Sequence, residues 1–117
     1  MIGDRVVASM MRIAASGFKA NVHQGGSVKP VNVQEALHNL AVRTAHLCHL
    51  DFSGVDVLLD KNSYKICEVN SSPGFQGLEK ASEINVALAY LNYVRDYVYT
   101  ERGSKKIRPT IQVNEVP

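Results

Sequence analysis

Two carboxylates and one amide have the residue types and spacing that a hard cation requires. Glu68 and Asn70 lie two residues apart in YKICEVN, and Asp56 lies earlier, in GVDVLLD. Side chains alternate between the two faces of a strand, so Glu68 and Asn70 are predicted to share one face. That face is also predicted to carry Tyr64 and Ile66. Magnesium binds oxygen ligands and uses few carboxylates together with waters and substrate phosphates, so the three polar residues form a candidate magnesium site if the two segments align.

The same three residues also fit a purely structural role. Asp56 is flanked by valine and leucine, where a lone carboxylate is costly unless a partner compensates its charge. Asp56 and Glu68 could pair with arginine or lysine, and Asn70 could begin a turn, because polar residues are common at strand ends. Spacing alone leaves both interpretations open.

The segment SSPGFQGLE, directly after Asn70, is a candidate anion-binding loop. It supplies backbone amides and hydroxyls next to the candidate metal ligands, and Gly74 and Gly77 would let a ligand approach the main chain closely. An ordinary connection from a strand to a helix is the alternative, because the glycine pattern is weak by itself.

A second polar loop, FKANVHQGGS, carries groups that can meet a phosphate. Lys19 supplies a positive charge, and Asn21 and His23 supply hydrogen-bonding groups. Arg12 lies just upstream. His23 is interpreted as a structural residue rather than a proton-transfer group. Three further histidines are interpreted as part of a solvated helix face: His38, His46 and His49.

Hydrophobic patterning predicts an α+β fold that positions these groups. Residues 2–13 mix β-branched and long apolar side chains and are predicted to form two short strands joined by a turn at Gly3-Asp4. Residues 16–31, with several glycines, serines and a proline, are predicted to be a loop. GVDVLLD and YKICEVN flank a polar turn and are predicted to pair as an antiparallel hairpin.

Two helices complete the predicted fold. The first covers residues 33–49, with Asn32 and Glu35 forming a capping box at its start. The second covers residues 81–99, and its buried stripe is predicted to comprise Ala87, Leu91, Val94 and Val98. The remaining residues lack helical periodicity and are predicted to be an extended tail.

Composition and charge argue against several classes of function. The chain has 117 residues, about the length of one domain, and 45% of them are hydrophobic, as a folded core requires. Its 13 basic and 11 acidic residues leave a charge of +2, and the excess lies in the tail, which disfavours nucleic acid as the main partner. Two cysteines without metal or redox spacing predict a cytoplasmic location. No apolar stretch approaches the roughly 18 residues of a membrane span.

Three ordered motifs resemble the carboxy-terminal part of ATP-grasp ligases of the RimK type, the α-L-glutamate ligases. These motifs are GFKANVHQGGS, LDFSGVDVL and CEVNSSPGFQGLE, and the resemblance covers residues 3 to about 98. It implies an α+β fold that is the carboxy-terminal lobe of an ATP-grasp domain, an antiparallel sheet flanked by helices. Residues 1–100 would then be a partial ATP-grasp domain, the metal-binding lobe, and residues 101–117 a basic extended tail.

The resemblance also implies a chemistry. Enzymes of this family use ATP to phosphorylate a carboxylate, and an amine then attacks the acyl phosphate to give an amide. The family's metal ligands fall on three positions of this chain: Asp56, Glu68 and Asn70. Its nucleotide-contacting positions fall on Lys19 and Asn21, and Arg12 matches a basic residue that steadies the transferred phosphoryl group or the acyl phosphate. The implied cofactors are ATP and magnesium, with manganese as the alternative metal.

Two features depart from the family pattern. Lys19 stands where the family usually has arginine, which keeps the charge but loses the planar bidentate fork, and the loop is one residue shorter before Phe18. The family also places a preceding domain and a nucleotide-clamping subdomain ahead of the matching region. We therefore expect weaker nucleotide affinity and no catalysis by these residues alone.

Expected partners follow from the same resemblance. In the full-length enzyme they are the nucleotide and a carboxylate acceptor that the sequence does not specify, and no membrane is expected. Sheet edges and helix faces that a larger fold would cover should be exposed, which predicts a homo-oligomer or an amino-terminal partner. The alternative function is a non-catalytic oligomerisation or interaction module derived from an ATP-grasp enzyme, and a small nucleic-acid binder is a weaker third.

Overall fold

The computed structural model describes residues 1–13, 27–61 and 63–104, which form an α+β arrangement. In chain order the elements are β1 (Met10–Ile13), β2 (Ser27–Pro30), α1 (Glu35–Leu47), β3 (Gly54–Asp60), β4 (Ser63–Asn70), α2 (Gln76–Ser82) and α3 (Val86–Ser104). β1 pairs antiparallel with β2, and β3 pairs antiparallel with β4, as two separate two-stranded sheets. The predicted α+β class and the predicted hairpin are therefore confirmed. Among the helices of the described ranges, none combines the length and the hydropathy that a membrane span requires.

The amino-terminal segment contains one strand rather than the two that were predicted. Ile2 and Arg5 form an isolated bridge around a tight turn, in which Gly3 has a positive φ of 55°. β2 lies in the segment predicted to be a loop, and it ends at Pro30. Pairing with β1 outweighs the weak strand propensity of these four residues, and proline is tolerated at the end of an edge strand.

α1 lies within its predicted range, but its ends differ from the prediction. Its N-cap, Gln34, makes no side-chain hydrogen bond, so the predicted capping box of Asn32 and Glu35 is wrong. At the other end His49 has a φ of 55°, and the amide after it donates to the Ala45 carbonyl at 3.0 Å. This is a Schellman arrangement, which satisfies the last carbonyls of the helix and turns the chain towards β3.

The helix predicted over residues 81–99 corresponds to α3, but residues 81 and 82 belong to α2 and the chain breaks between the two helices. α3 also continues through residues 101–104, which corrects the start of the predicted extended tail. Glu83 has a φ of 58° and ends α2. Asn85 then caps α3, because its Oδ1 accepts a hydrogen bond from the Leu88 amide at 2.7 Å. Ser, Asn and Asp at an N-cap satisfy an amide that the helix itself cannot, so Asn85 favours a new start over continuation.

α3 packs through a different face from the predicted one. The predicted stripe is exposed along its length, and Leu91 retains 64% of its accessible surface. Val86 is buried instead, and the Tyr90 ring lies on Phe52 with ring centroids 4.5 Å apart. Tyr93 continues this packed stripe at helical spacing. Large aromatic rings bury more area than alanine or valine, which explains why they determine the packed face.

The core lies where the amino-terminal turn, α1 and α3 meet. Its buried apolar residues are Ile2, Ala41, Ala45 and Val86. Phe52, just before β3, contacts Tyr90 on α3 and meets Phe75 edge-on, with ring centroids 6.1 Å apart. Because Phe75 follows β4, this aromatic contact fixes the start of β3 and the segment after β4 at one end of the hairpin.

Candidate metal and nucleotide site

The register of the hairpin brings the three candidate metal ligands to one end of β3 and β4. Asp56 lies opposite Glu68, and Gly54 lies opposite Asn70. Directly opposed side chains in an antiparallel pair have Cβ atoms about 4.5–5.5 Å apart, which is close enough for both carboxylates to reach one cation. The alignment on which the magnesium prediction depended is therefore present.

A β-bulge interrupts the hairpin next to these ligands. The register shifts between Asp56 and Val57, so that Val57 lies opposite Ile66 while Asp56 lies opposite Glu68. Cys67 is the extra residue on β4, and its side chain is exposed. A bulge of this kind bends the strand and changes which face the following side chains occupy.

The bulge corrects the predicted assignment of faces. Tyr64 and Ile66 are half-buried together with Val69, whereas Glu68 and Asn70 are exposed. Glu68 and Asn70 share a face, as predicted, but Tyr64 and Ile66 lie on the opposite one. Because the apolar residues change parity between Ile66 and Val69, the extra residue lets all three apolar side chains face the body of the protein.

Arg12 reaches the same face from the other sheet. Its Nη2 atom lies 2.5 Å from Asp56 Oδ2, an ion pair that links β1 to β3. The two side chains are 37% and 52% exposed. The structural alternative, in which an arginine pairs with Asp56, is thus present together with the candidate site. The predicted phosphate-contacting arginine and a predicted metal ligand lie in direct contact.

The end of β4 is fixed by the side chain of Asn70. The Ser72 amide donates a hydrogen bond to Asn70 Oδ1 at 2.9 Å, which closes an Asx turn and stops the strand. A carbonyl oxygen has two lone pairs, so Oδ1 can accept this bond and still face a cation. The turn therefore holds the amide oxygen in place at the edge of the site.

The two glycines after this turn, Gly74 and Gly77, do not lie in the same loop. Gly77 lies in the first turn of α2 rather than in a loop, which corrects that part of the prediction. A Cβ atom added at Gly74 or Gly77 would meet nothing within 4 Å. The main chain at both positions is therefore open to approach.

The donor set fits magnesium by its chemistry. It comprises two exposed carboxylates and one oriented amide oxygen, which are hard oxygen ligands and leave positions for water and phosphate. Across the described parts of the chain, no group of three or more histidine, cysteine, aspartate or glutamate side chains could hold a metal. His46 Nε2 lies 3.1 Å from Asp4 Oδ1, and the His46 side chain is exposed, which agrees with its predicted place on a solvated helix face. Lys19, Asn21 and His23 lie outside the described residues.

Gly54 is a site residue that the sequence interpretation missed. A Cβ atom there would lie 2.9 Å from Pro73 Cβ, and the proline ring cannot rotate away. Glycine therefore lets the segment after Asn70 fold back against the start of β3. The sequence signal for this close approach is a glycine at the first position of a strand whose other residues all carry larger side chains.

Changing Gly54 to alanine is expected to lower the free energy of unfolding by about 1–3 kcal/mol, because overpacking forces backbone shifts. Urea unfolding followed by circular dichroism measures this loss. Gly74→Ala is the matched control, since its added methyl group meets open space and should change stability by less than about 0.5 kcal/mol. Equal effects of the two changes would contradict the close packing of Gly54 on Pro73.

A family model described as RimK-like ATP-grasp domain matches residues 1–94. The chain belongs to the RimK-like ATP-grasp family. The resemblance carried by the three motifs is thus confirmed, and Arg12, Asp56, Glu68 and Asn70 all lie within the matched region of this ATP-grasp domain.

Curated relatives of this RimK-like chain are named probable alpha-L-glutamate ligases. The protein from Rhodopirellula baltica is 43% identical over 95 residues, which cover 80% of this chain and 24% of the relative. The Pasteurella multocida protein is 45% identical over 89 residues, covering 75% of this chain and 28% of the relative. The Xylella fastidiosa protein is 36% identical over 110 residues, which cover 93% of this chain and 36% of the relative. The chain thus spans about a quarter to a third of the length of these relatives.

Proposed function

We propose that this chain supplies the metal-binding part of an ATP-dependent carboxylate–amine ligase, and that the amino acid added is glutamate. The observation that carries the proposal is the placement of Asp56 opposite Glu68, beside Asn70, in a RimK-like ATP-grasp domain. The names of the relatives support the choice of glutamate. The acceptor is a carboxylate compound.

The side chains of the site suit a reaction through an acyl phosphate. The γ-phosphoryl group of ATP passes to the acceptor carboxylate, the amine then forms the new C–N bond, and phosphate leaves. Phosphoryl transfer needs positioning and positive charge where negative charge develops. Arg12 offers a delocalised charge and a planar fork for phosphoryl oxygens. Asp56, Glu68 and Asn70 would hold magnesium, which neutralises phosphate charge when bound.

We expect the 117 residues alone to have no measurable ligase turnover. The matched segment is only 24% of the Rhodopirellula baltica relative and 36% of the Xylella fastidiosa relative, so we expect residues outside this chain to complete the nucleotide cleft. A chimaera tests the activity directly: the residues of this chain that match the Rhodopirellula baltica relative replace the corresponding segment of that relative. The chimaera is expected to form ADP in a glutamate-dependent reaction, and the same chimaera with Glu68→Ala is expected not to. A chimaera that folds and binds nucleotide but never forms ADP with glutamate would contradict the proposal.

A second candidate function is self-association without catalysis. The face of α3 that carries Leu88, Leu91 and Val98 is exposed, although it has the apolar character of a packed surface. Exposed apolar patches of this kind often mark interfaces between proteins. A second copy of the chain could cover this face by the same contact in both directions, as in a two-fold dimer.

Leu91→Glu is expected to convert a self-associated form into monomer, because burying an unpaired carboxylate in an apolar interface is strongly unfavourable. Sedimentation velocity at several protein concentrations measures the change. Asn39→Asp adds the same charge at an exposed position on α1, outside this face of α3, and should leave the association intact. A wild-type chain that stays monomeric at the highest concentration would rule out this second function.

A further inference from the structure

The Arg12–Asp56 ion pair occupies one of the oxygens that the proposed cation would use. Arg12 Nη2 lies 2.5 Å from Asp56 Oδ2, on the exposed face of the hairpin that also carries Glu68. A magnesium ion bound to the same carboxylate would lie about 2.0–2.1 Å from its oxygen. The guanidinium and the cation would then be two like charges within a few ångströms of each other, and they would repel.

The ion pair is weak enough to be exchanged. Both side chains are partly exposed, at 37% and 52%, so water screens their attraction. Exposed pairs of this kind contribute little to stability, and many contribute nothing measurable. A divalent cation therefore displaces Arg12 from Asp56 if it binds the carboxylate only slightly more strongly than Arg12 does.

We propose that Arg12 and the divalent cation exchange at Asp56, so that Arg12 is released to the phosphate when the metal–nucleotide complex binds. This inference rests on the proposed function. Before the nucleotide binds, Arg12 neutralises Asp56 and links β1 to β3 across the site. After it binds, the cation neutralises Asp56, and the guanidinium turns to the phosphoryl oxygens.

The exchange gives Arg12 opposite effects on two kinds of ligand. For the bare cation Arg12 is a competitor, so its removal should tighten binding. For the metal–nucleotide complex it is a ligand for phosphate, so its removal should weaken binding. If Arg12 had a purely structural role, its removal would weaken binding of both ligands. If Arg12 contacted only phosphate, its removal would leave binding of the bare cation unchanged.

Binding of Mn²⁺ to the full 117-residue chain tests this inference by electron paramagnetic resonance of the free ion. Arg12→Gln is expected to tighten Mn²⁺ binding about two- to five-fold, the equivalent of an exposed ion pair. It is expected to weaken binding of Mn²⁺–ATP about tenfold or more, because a charge-assisted bond to the γ-phosphate is lost. Arg12→Lys keeps the positive charge, so its affinities for both ligands should lie between those of the wild type and those of Arg12→Gln.

Lys29→Gln is the matched charge control. Lys29 is exposed on β2, one register position away from the partner of Arg12, and it therefore points to the opposite face of the same sheet. Replacing Lys29 removes one positive charge but leaves the Arg12–Asp56 ion pair intact, and it should change the Mn²⁺ affinity by less than about 1.5-fold. An equal gain from both variants would attribute the effect to net charge and overturn the exchange.

The remaining outcomes separate this inference from the proposed function. Unchanged or weaker Mn²⁺ binding by Arg12→Gln overturns the exchange, while Mg²⁺-dependent nucleotide binding that requires Glu68 would still stand. In the double variant Arg12→Gln, Asp56→Asn the gain in Mn²⁺ affinity should vanish, and its persistence also overturns the exchange. If neither the wild-type chain nor Arg12→Gln binds Mn²⁺, the metal site and the exchange both fail.

Discussion

Replacing Asp56 with asparagine is expected to lower the affinity of the chain for a magnesium–nucleotide complex at least tenfold. The change keeps the shape of the side chain but removes one of two opposed carboxylates, and magnesium depends on charged oxygen ligands. It also ends the ion pair with Arg12. Isothermal titration calorimetry with ADP, with and without Mg²⁺, measures the loss.

The stability of the chain should hardly change in the same variant. A half-exposed ion pair contributes about 1 kcal/mol or less, so the urea midpoint of Asp56→Asn should stay close to that of the wild type. Asp96→Asn is a matched control, because Asp96 also pairs with an arginine, Arg95, at 2.8 Å and is exposed on α3. Equal losses of nucleotide affinity in the two variants would show that Asp56 has no special role.

Changing Gly3 to alanine is expected to cause the largest loss of stability, about 3 kcal/mol in the free energy of unfolding. Gly3 has a φ of 55°, which costs an L residue about 1–2 kcal/mol. An added Cβ would also lie 2.7 Å from Cε2 of Tyr93, in the packed stripe of α3. Both effects act at the contact that holds the amino-terminal turn on the core.

Urea unfolding provides the measurement, and Gly77→Ala provides the control. The alanine at residue 77 meets open space within α2 and should stabilise the helix by up to about 1 kcal/mol. A Gly3→Ala variant within 0.5 kcal/mol of the wild type would mean that neither the positive φ nor the Tyr93 contact matters for folding.

The hairpin could be predicted from the sequence because its signals are local. GVDVLLD and YKICEVN are rich in β-branched residues, and they flank a polar turn. The bulge at Cys67 also had a signal, since the apolar residues change parity between Ile66 and Val69. A strict alternation was predicted instead, and it placed Tyr64 and Ile66 on the wrong face.

The helices illustrate where periodicity alone is insufficient. α3 carries two apolar stripes. One is the predicted stripe that ends at Val94 and Val98, and the other contains Val86, Tyr90 and Tyr93. Periodicity alone does not show which of the two packs against the core. The contact between Phe52 and Tyr90 decides this, and it joins residues far apart in the chain. Similarly, the break between α2 and α3 depends on Asn85 acting as a cap rather than as an interior residue.

The contact between Arg12 and Asp56 could not be predicted from local patterns. The two residues lie on different sheets, and they are 44 positions apart in the chain. The sequence indicated separately that Arg12 could meet a phosphate and that Asp56 could bind a metal. Only the arrangement of β1 against β3 shows that the two groups meet.

The central claim is most directly tested by calorimetric titration of ADP into the 117-residue chain in the presence and absence of Mg²⁺, with Glu68→Ala measured in parallel. We expect Mg²⁺-dependent binding to the wild-type chain and none to the variant, because Glu68 provides one of the two opposed carboxylates. Glu35→Ala, which removes an exposed carboxylate from α1, should bind like the wild type. Binding that is independent of Mg²⁺, or equally strong in Glu68→Ala, would contradict the assignment of this end of the hairpin as a metal and nucleotide site.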